Sequence, residues 1–172
     1  MPAGKSILFP IINVQVDAPC GCPACADGNP SPGEACLAKF AADIIDDITE
    51  LEVEVDGVSL GNLFAHRVKS GLFTFLGDLS VSDGCFTGAP QLDVSDGYWI
   101  MLKPLSVGHH TIHWRGFGPV SLTDPNCTFD FPFLSEVSYN LTVVPHRGRD
   151  DDRMEASVQQ GTWGMVKELY RK

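Results

Sequence analysis

Four of the six cysteines, Cys20, Cys22, Cys25 and Cys36, crowd one stretch of the chain. Cys22 and Cys25 have the C-x-x-C spacing of a zinc knuckle or a redox pair, and Cys20 and Cys36 could complete four thiolates around one ion. The same sulfurs, with Cys85 and Cys127, also make an even set suited to disulfides that staple a loop to the start of a helix. A redox pair of the thioredoxin type needs a βαβ setting, and the pattern around this cluster offers none. Structural zinc at the cluster therefore stands beside the disulfide reading.

Three histidines, His109, His110 and His113, invite a metal reading that strand geometry opposes. At about 3.3 Å per residue, His109 and His113 share a face but sit roughly 13 Å apart. A metal there would need His66 or His146 from elsewhere. Glu52 and Glu54 share one face of a strand, their backbones roughly 6.7 Å apart. Paired glycosidase carboxylates span about 5–9.5 Å, so this pair is the catalytic candidate, against the plainer reading of a solvated sheet face. Asp93 and Asp96 lie near Tyr98 and Trp99, and Trp114 and Phe117 follow on the next candidate strand. Sugars stack on such rings while carboxylates and imidazoles bond their hydroxyls. Asp96, Tyr98, Trp99, His109, His113 and Trp114 form the candidate ligand-binding set. The acidic run at 150–152 could hold calcium, although EF-hand spacing is missing. No nucleophile elbow, phosphate loop or dinucleotide fingerprint occurs.

These residues need elements to position them. Residues 6–16 read as a strand. Ser31-Pro32-Gly33-Glu34 reads as a helix start with a capping box, and Leu37, Phe40, Ala41, Ile44, Ile45 and Ile48 continue it as one apolar stripe. The spacing predicts a helix over 32–49. From Leu51 the period becomes two, and Asp56-Gly57 is a hairpin turn. Further strands are expected at 66–76, 97–103, 109–117 and 135–144, with loops at 77–96 and 118–127. In 135–144, Val137, Tyr139, Leu141 and Val143 should face in. The fold class is all-β: an antiparallel β-sandwich or jelly roll over 1–145, with one inserted amphipathic helix. A charged linker at 146–153 leads to a C-terminal helix or mobile tail at 154–172.

Length and composition agree with this reading. The 172 residues suit one domain with a short appendage, and 17 glycines with 12 prolines favour short strands. The net charge is −10, and residues 1–145 carry 6 basic against 17 acidic side chains. Such a body repels phosphate backbones and anionic membrane surfaces, so no nucleic-acid partner is expected. No apolar run is long enough for membrane insertion. The cysteines suggest an oxidising compartment, with an export signal expected upstream or removed.

Four segments carry a family likeness: residues 2–13, Val55-Asp56-Gly57-Val58, residues 96–113 and residues 137–143. Together they resemble a group of uncharacterised secreted proteins of environmental bacteria. The piece Pro104-Leu105-x-x-Gly108-x-His110-x-Ile112 is also similar to the penultimate strand of extracellular immunoglobulin-like modules. The resemblance implies export and an all-β body, and it implies no reaction. The expected function is an extracellular binding or interaction module with a glycan or cell-surface partner. A small secreted glycoside hydrolase using Glu52 and Glu54 is the first alternative. A subunit of a surface assembly, forming a homo-oligomer through the tail, is the second.

Overall fold

A computed structural model describes residues 1–18, 34–76, 90–124 and 127–146, with backbone alone for Ala18 and residues 122–124 and 127–129. In chain order the elements are strand β1 (Ile7–Ala18), helix α1 (Glu34–Asp46), and strands β2 (Glu50–Val55) and β3 (Val58–Ser59). A 3-10 turn (Leu63–His66) follows. Then come β4 (Arg67–Lys69), β5 (Phe73–Phe75), β6 (Gln91–Leu102), β7 (Gly108–Asp124) and β8 (Cys127–Val143). One sheet has the order β1-β6-β4, with β5 also on β6; the other is β3-β2-β7-β8. All of these pairings are antiparallel. The described chain is thus mostly β with one helix, as its alternating pattern requires.

The two sheets share a core. Phe9, Ile11 and Ile12 of β1 and Tyr98 and Ile100 of β6 meet Val53 of β2, Ile112 and Trp114 of β7, and Ile44 and Ile45 of α1. Ile11 and Ile12 are both buried although adjacent in sequence. The register shifts between Pro10 and Ile12, and this irregularity, beside a proline that cannot donate, lets neighbours break strict alternation. A second cluster joins Val16 and Val94 to Leu37 and Ala41 of α1.

The helix forms on its expected stripe but ends at Asp46, short of residue 49. Thr49 N–H is instead taken by Phe117 C=O at 2.9 Å, which commits the chain to β2. Ser31, Pro32 and Gly33 of the expected cap lie outside the described residues. Gly116 lets this region close: a Cβ there would sit 2.7 Å from Ile12 Cβ. Arg67 ties helix to sheet, forking to Asp96 with Nε–Oδ1 at 2.9 Å and Nη2–Oδ2 at 2.7 Å. It also reaches Asp46 and, at 3.3 Å, Ala42 C=O. A cation at the end of a helix meets its unpaired carbonyls.

The strands differ from expectation at their ends. The expected strand 66–76 is two short ones, β4 and β5. The strand expected at 97–103 begins at Gln91. The expected loop at 118–127 is mostly strand, because β7 and β8 continue as a long hairpin. Pro119 faces Pro132 in that hairpin. Alternate antiparallel pairs exchange no backbone bonds, so two prolines can face each other without orphaning a partner. The same alternation turns the backbone groups of Thr142 outward, where the Met1 ammonium donates to its carbonyl at 2.6 Å. Ala3 N–H and Met1 C=O then bond the carbonyl and N–H of Val144, covering this end of the β8 edge.

Of the cysteines, Cys36 lies in α1, half-buried and disulfide-bonded. Cys20, Cys22, Cys25 and Cys85 lie outside the described residues, as do the 150–152 run and most of the expected linker and tail. Only the backbone of Cys127 is described.

Candidate functional site

Glu52 and Glu54 alternate with buried Val53, so both point outward from the second sheet and are exposed. Cross-strand, Glu52 faces Arg115 and Glu54 faces His113; Glu54 also accepts from Ser59 Oγ at 3.2 Å. They lie on a pleated surface, whereas a glycosidase acid relies on an environment that keeps it protonated.

The ligand-binding set is dispersed. Tyr98 is 6% exposed and Trp114 7%, so neither offers a platform for a sugar. Trp114 is sandwiched between Phe9 (centroids 4.4 Å apart) and Tyr139 (5.5 Å). Asp96 is buried and held by Arg67, with Lys69 Nζ at 3.6 Å. Asp93 and Asp96 do not form one neighbourhood: three apart on a strand, they face opposite sides. Trp99 is half-buried opposite Pro10. His109 is exposed and His113 half-buried, both on the outer face of the second sheet. Their Nδ1 atoms bond Thr142 Oγ1 (3.1 Å) and Ser138 Oγ (2.9 Å).

The arrangement that sequence reading missed centres on His110. Asp56 opens the β2–β3 hairpin in the left-handed region (φ 54°), with Gly57 following at φ 76°, as a primed two-residue turn requires. That turn aims the Asp56 carboxylate at the start of β7. Its Oδ1 accepts from Thr111 N–H at 2.8 Å and its Oδ2 meets His110 Nδ1 at 2.7 Å. On the far side of the ring, Nε2 lies 2.9 Å from Ser106 C=O and 3.4 Å from Ser106 Oγ. The imidazole bond, then the Thr111 amide, hold Asp56 below the ordinary carboxylate value. The Asp56 bond, then the Ser106 carbonyl, push His110 above the ordinary imidazole value.

Ser106, His110 and Asp56 thus stand in the order of a hydrolytic triad, but the hydrogen bonds give a different result. A carbonyl only accepts, so Nε2 must carry its proton to satisfy Ser106 C=O. With Nδ1 also facing Asp56, this pairing favours the doubly protonated ring, which has no lone pair for the Ser106 hydroxyl. This is a charged clip joining the β2–β3 turn to the loop before β7. The signals for it were the Asp56-Gly57 turn and the four-residue step from Ser106 to His110.

Beside the clip is a cleft of about 200 Å³ lined by Asp56, His109, His110, Thr111, Asn140, Leu141 and Thr142. Its walls combine carboxylate, imidazole, hydroxyl and amide groups on two paired strands, with Leu141 as the apolar surface. Among the described residues, no group of three or more His, Cys, Asp or Glu converges as a metal site, and no helix is long and apolar enough to cross a membrane. No family model, curated protein or solved structure matches the chain.

Proposed function

We propose that the chain is an extracellular binding module of β-sandwich type that takes a polyhydroxylated ligand, a glycan, in the cleft beside His110 and catalyses no reaction. The cleft carries this reading. It is about the size of one sugar ring, and its hydrogen-bonding groups, His109, Thr111, Asn140 and Thr142, sit on the paired β7 and β8 strands. Rigid placement matters because hydroxyl recognition gains little per bond over water. The disulfide at Cys36 supports an oxidising compartment, and the resemblance to secreted bacterial proteins points the same way. The outward, cross-strand positions of Glu52 and Glu54 favour binding over glycoside hydrolysis.

Affinity electrophoresis and calorimetry against a panel of soluble polysaccharides and oligosaccharides test this. The expected result is retardation by one glycan class, weakened at least tenfold in Asn140→Ala and Thr142→Ala with circular dichroism unchanged. Absence of binding across the panel, or binding that both variants retain in full, overturns it.

A further inference from the structure

We propose that Asp17 and Asp93 form a binding site for a hard divalent cation of the calcium type on the first sheet. The two residues are direct partners across the β1–β6 ladder, a relation that puts antiparallel Cβ atoms about 4.5–5.5 Å apart. Val16 and Val94, their neighbours in each strand, point toward α1, so both carboxylates point to the opposite face. Arg67 and Lys69 engage Asp96, whose side chain lies on the α1 side of β6.

The site is incomplete as a protein-only arrangement. Asp93 is 0% exposed. Its Oδ2 accepts from Gln15 Nε2, but its Oδ1 is buried with no hydrogen-bond partner, and so is Asp17 Oδ2. Among the described residues, neither carboxylate takes part in an ion pair. Among the described residues, the groups around Asp93 are Asp17 and Gln15 from β1, Phe73 opposite it on β5, Gln91 buried two residues earlier in β6, and the Val94 amide that bonds its carboxylate; none of these brings a full positive charge. Like charges directly opposite each other destabilise a sheet, and a buried carboxylate with an unmet oxygen is costlier still. A cation between the two free oxygens removes both penalties at once.

The donors choose the ion. Carboxylate and amide oxygens suit calcium or magnesium, and calcium's variable coordination fits a sheet face better than a strict octahedron. Two carboxylates are few, so the affinity belongs with the weak extracellular sites, at about 10⁻⁴–10⁻³ M.

Thermal unfolding of the full chain at pH 8, in EGTA and in 10 mM CaCl2, tests this, with NaCl of matched ionic strength as control. Calcium should raise the Tm by about 3–8 °C, and Asp93→Asn and Asp17→Asn should each lose that shift. Calorimetric titration of the wild type with CaCl2 gives a second readout that does not depend on the variants folding. The proposal is overturned by an equal Tm in EGTA and calcium, by an equal rise in the NaCl control, or by variants that keep the full shift. A destabilisation at high pH that calcium leaves in place would mean that the pair is served by a shared proton alone.

Discussion

Arg67 holds Asp96 through two parallel N–H···O bonds while reaching the last turn of α1 at Asp46 and Ala42. Asp96 is 2% exposed, so this fork is what makes its charge tolerable inside the sheet–helix interface. Asp96, first among its partners, keeps Arg67 firmly protonated. Removing one partner of such a pair strands the other. Arg67→Ala should therefore lower unfolding free energy by about 3 kcal/mol. Arg67→Lys should restore less than half of that, because an ammonium cannot fork. Urea denaturation checks both, and a loss below about 0.5 kcal/mol in the alanine variant would mean that the pair is not structural.

The pH dependence of stability without calcium should report on Asp93. Burial, opposed by the Gln15 bond and reinforced by the Asp17 charge, raises its pKa to about 7. An unfolded aspartate titrates near 3.9, so between about pH 4 and 7 the folded state binds the extra proton. Stability contributed by this group is full below pH 4 and falls as pH rises through 7. The loss is at most on the order of 4 kcal/mol. Asp93→Asn keeps the shape without the charge and should flatten that decline. A wild-type profile already flat from pH 4 to 8 in EGTA contradicts the assignment.

The His110 clip has the opposite sign for carboxylate and imidazole. Its raised imidazole contributes stability fully below the unfolded histidine value, near 6.5. That contribution disappears as pH rises through the folded value. Asp56 is depressed, so its share is present at neutral pH and disappears as pH falls through its folded value. NMR titration should find His110 titrating above the ordinary imidazole value, and Asp56→Asn should bring it back toward that value. An unshifted His110 in the wild type would contradict the imidazolium reading of the cleft.

Periodicity was informative where one face is buried and the other wet. The stripe of α1 and the alternation around Val53 placed both elements close to where they form. It failed where partners decide. Residues 91–96 looked like loop because Gln91, Asp93 and Asp96 are polar, yet all three are buried in the central strand. The strands expected at 109–117 and 135–144 stop short of Pro119 and Pro132, and only the mutual register of these prolines shows how the hairpin runs past them. Tyr139 follows the inward alternation of β8 but is 57% exposed, since among the described residues no strand pairs beyond β8 at that point. The His110 clip was legible only in fragments, the Asp56-Gly57 turn and the Ser106-to-His110 step, because a turn brings Asp56 to it from 54 residues away.

Trp114 joins packing to an unmet polar group. Its ring fills the core between Phe9 and Tyr139, but Nε1 is buried with no acceptor. Truncation and removal of the donor should therefore have separable effects. Trp114→Ala leaves a cavity beneath two stacked rings and should cost about 3–5 kcal/mol. Trp114→Phe keeps a ring in the stack and deletes the orphan N–H, whose desolvation alone costs about 1–3 kcal/mol. Its net loss should be under about 1.5 kcal/mol, despite the smaller side chain. Paired urea curves with equal slopes decide the matter. If the phenylalanine variant is as unstable as the alanine one, the indole nitrogen has a partner and the site is held by that bond.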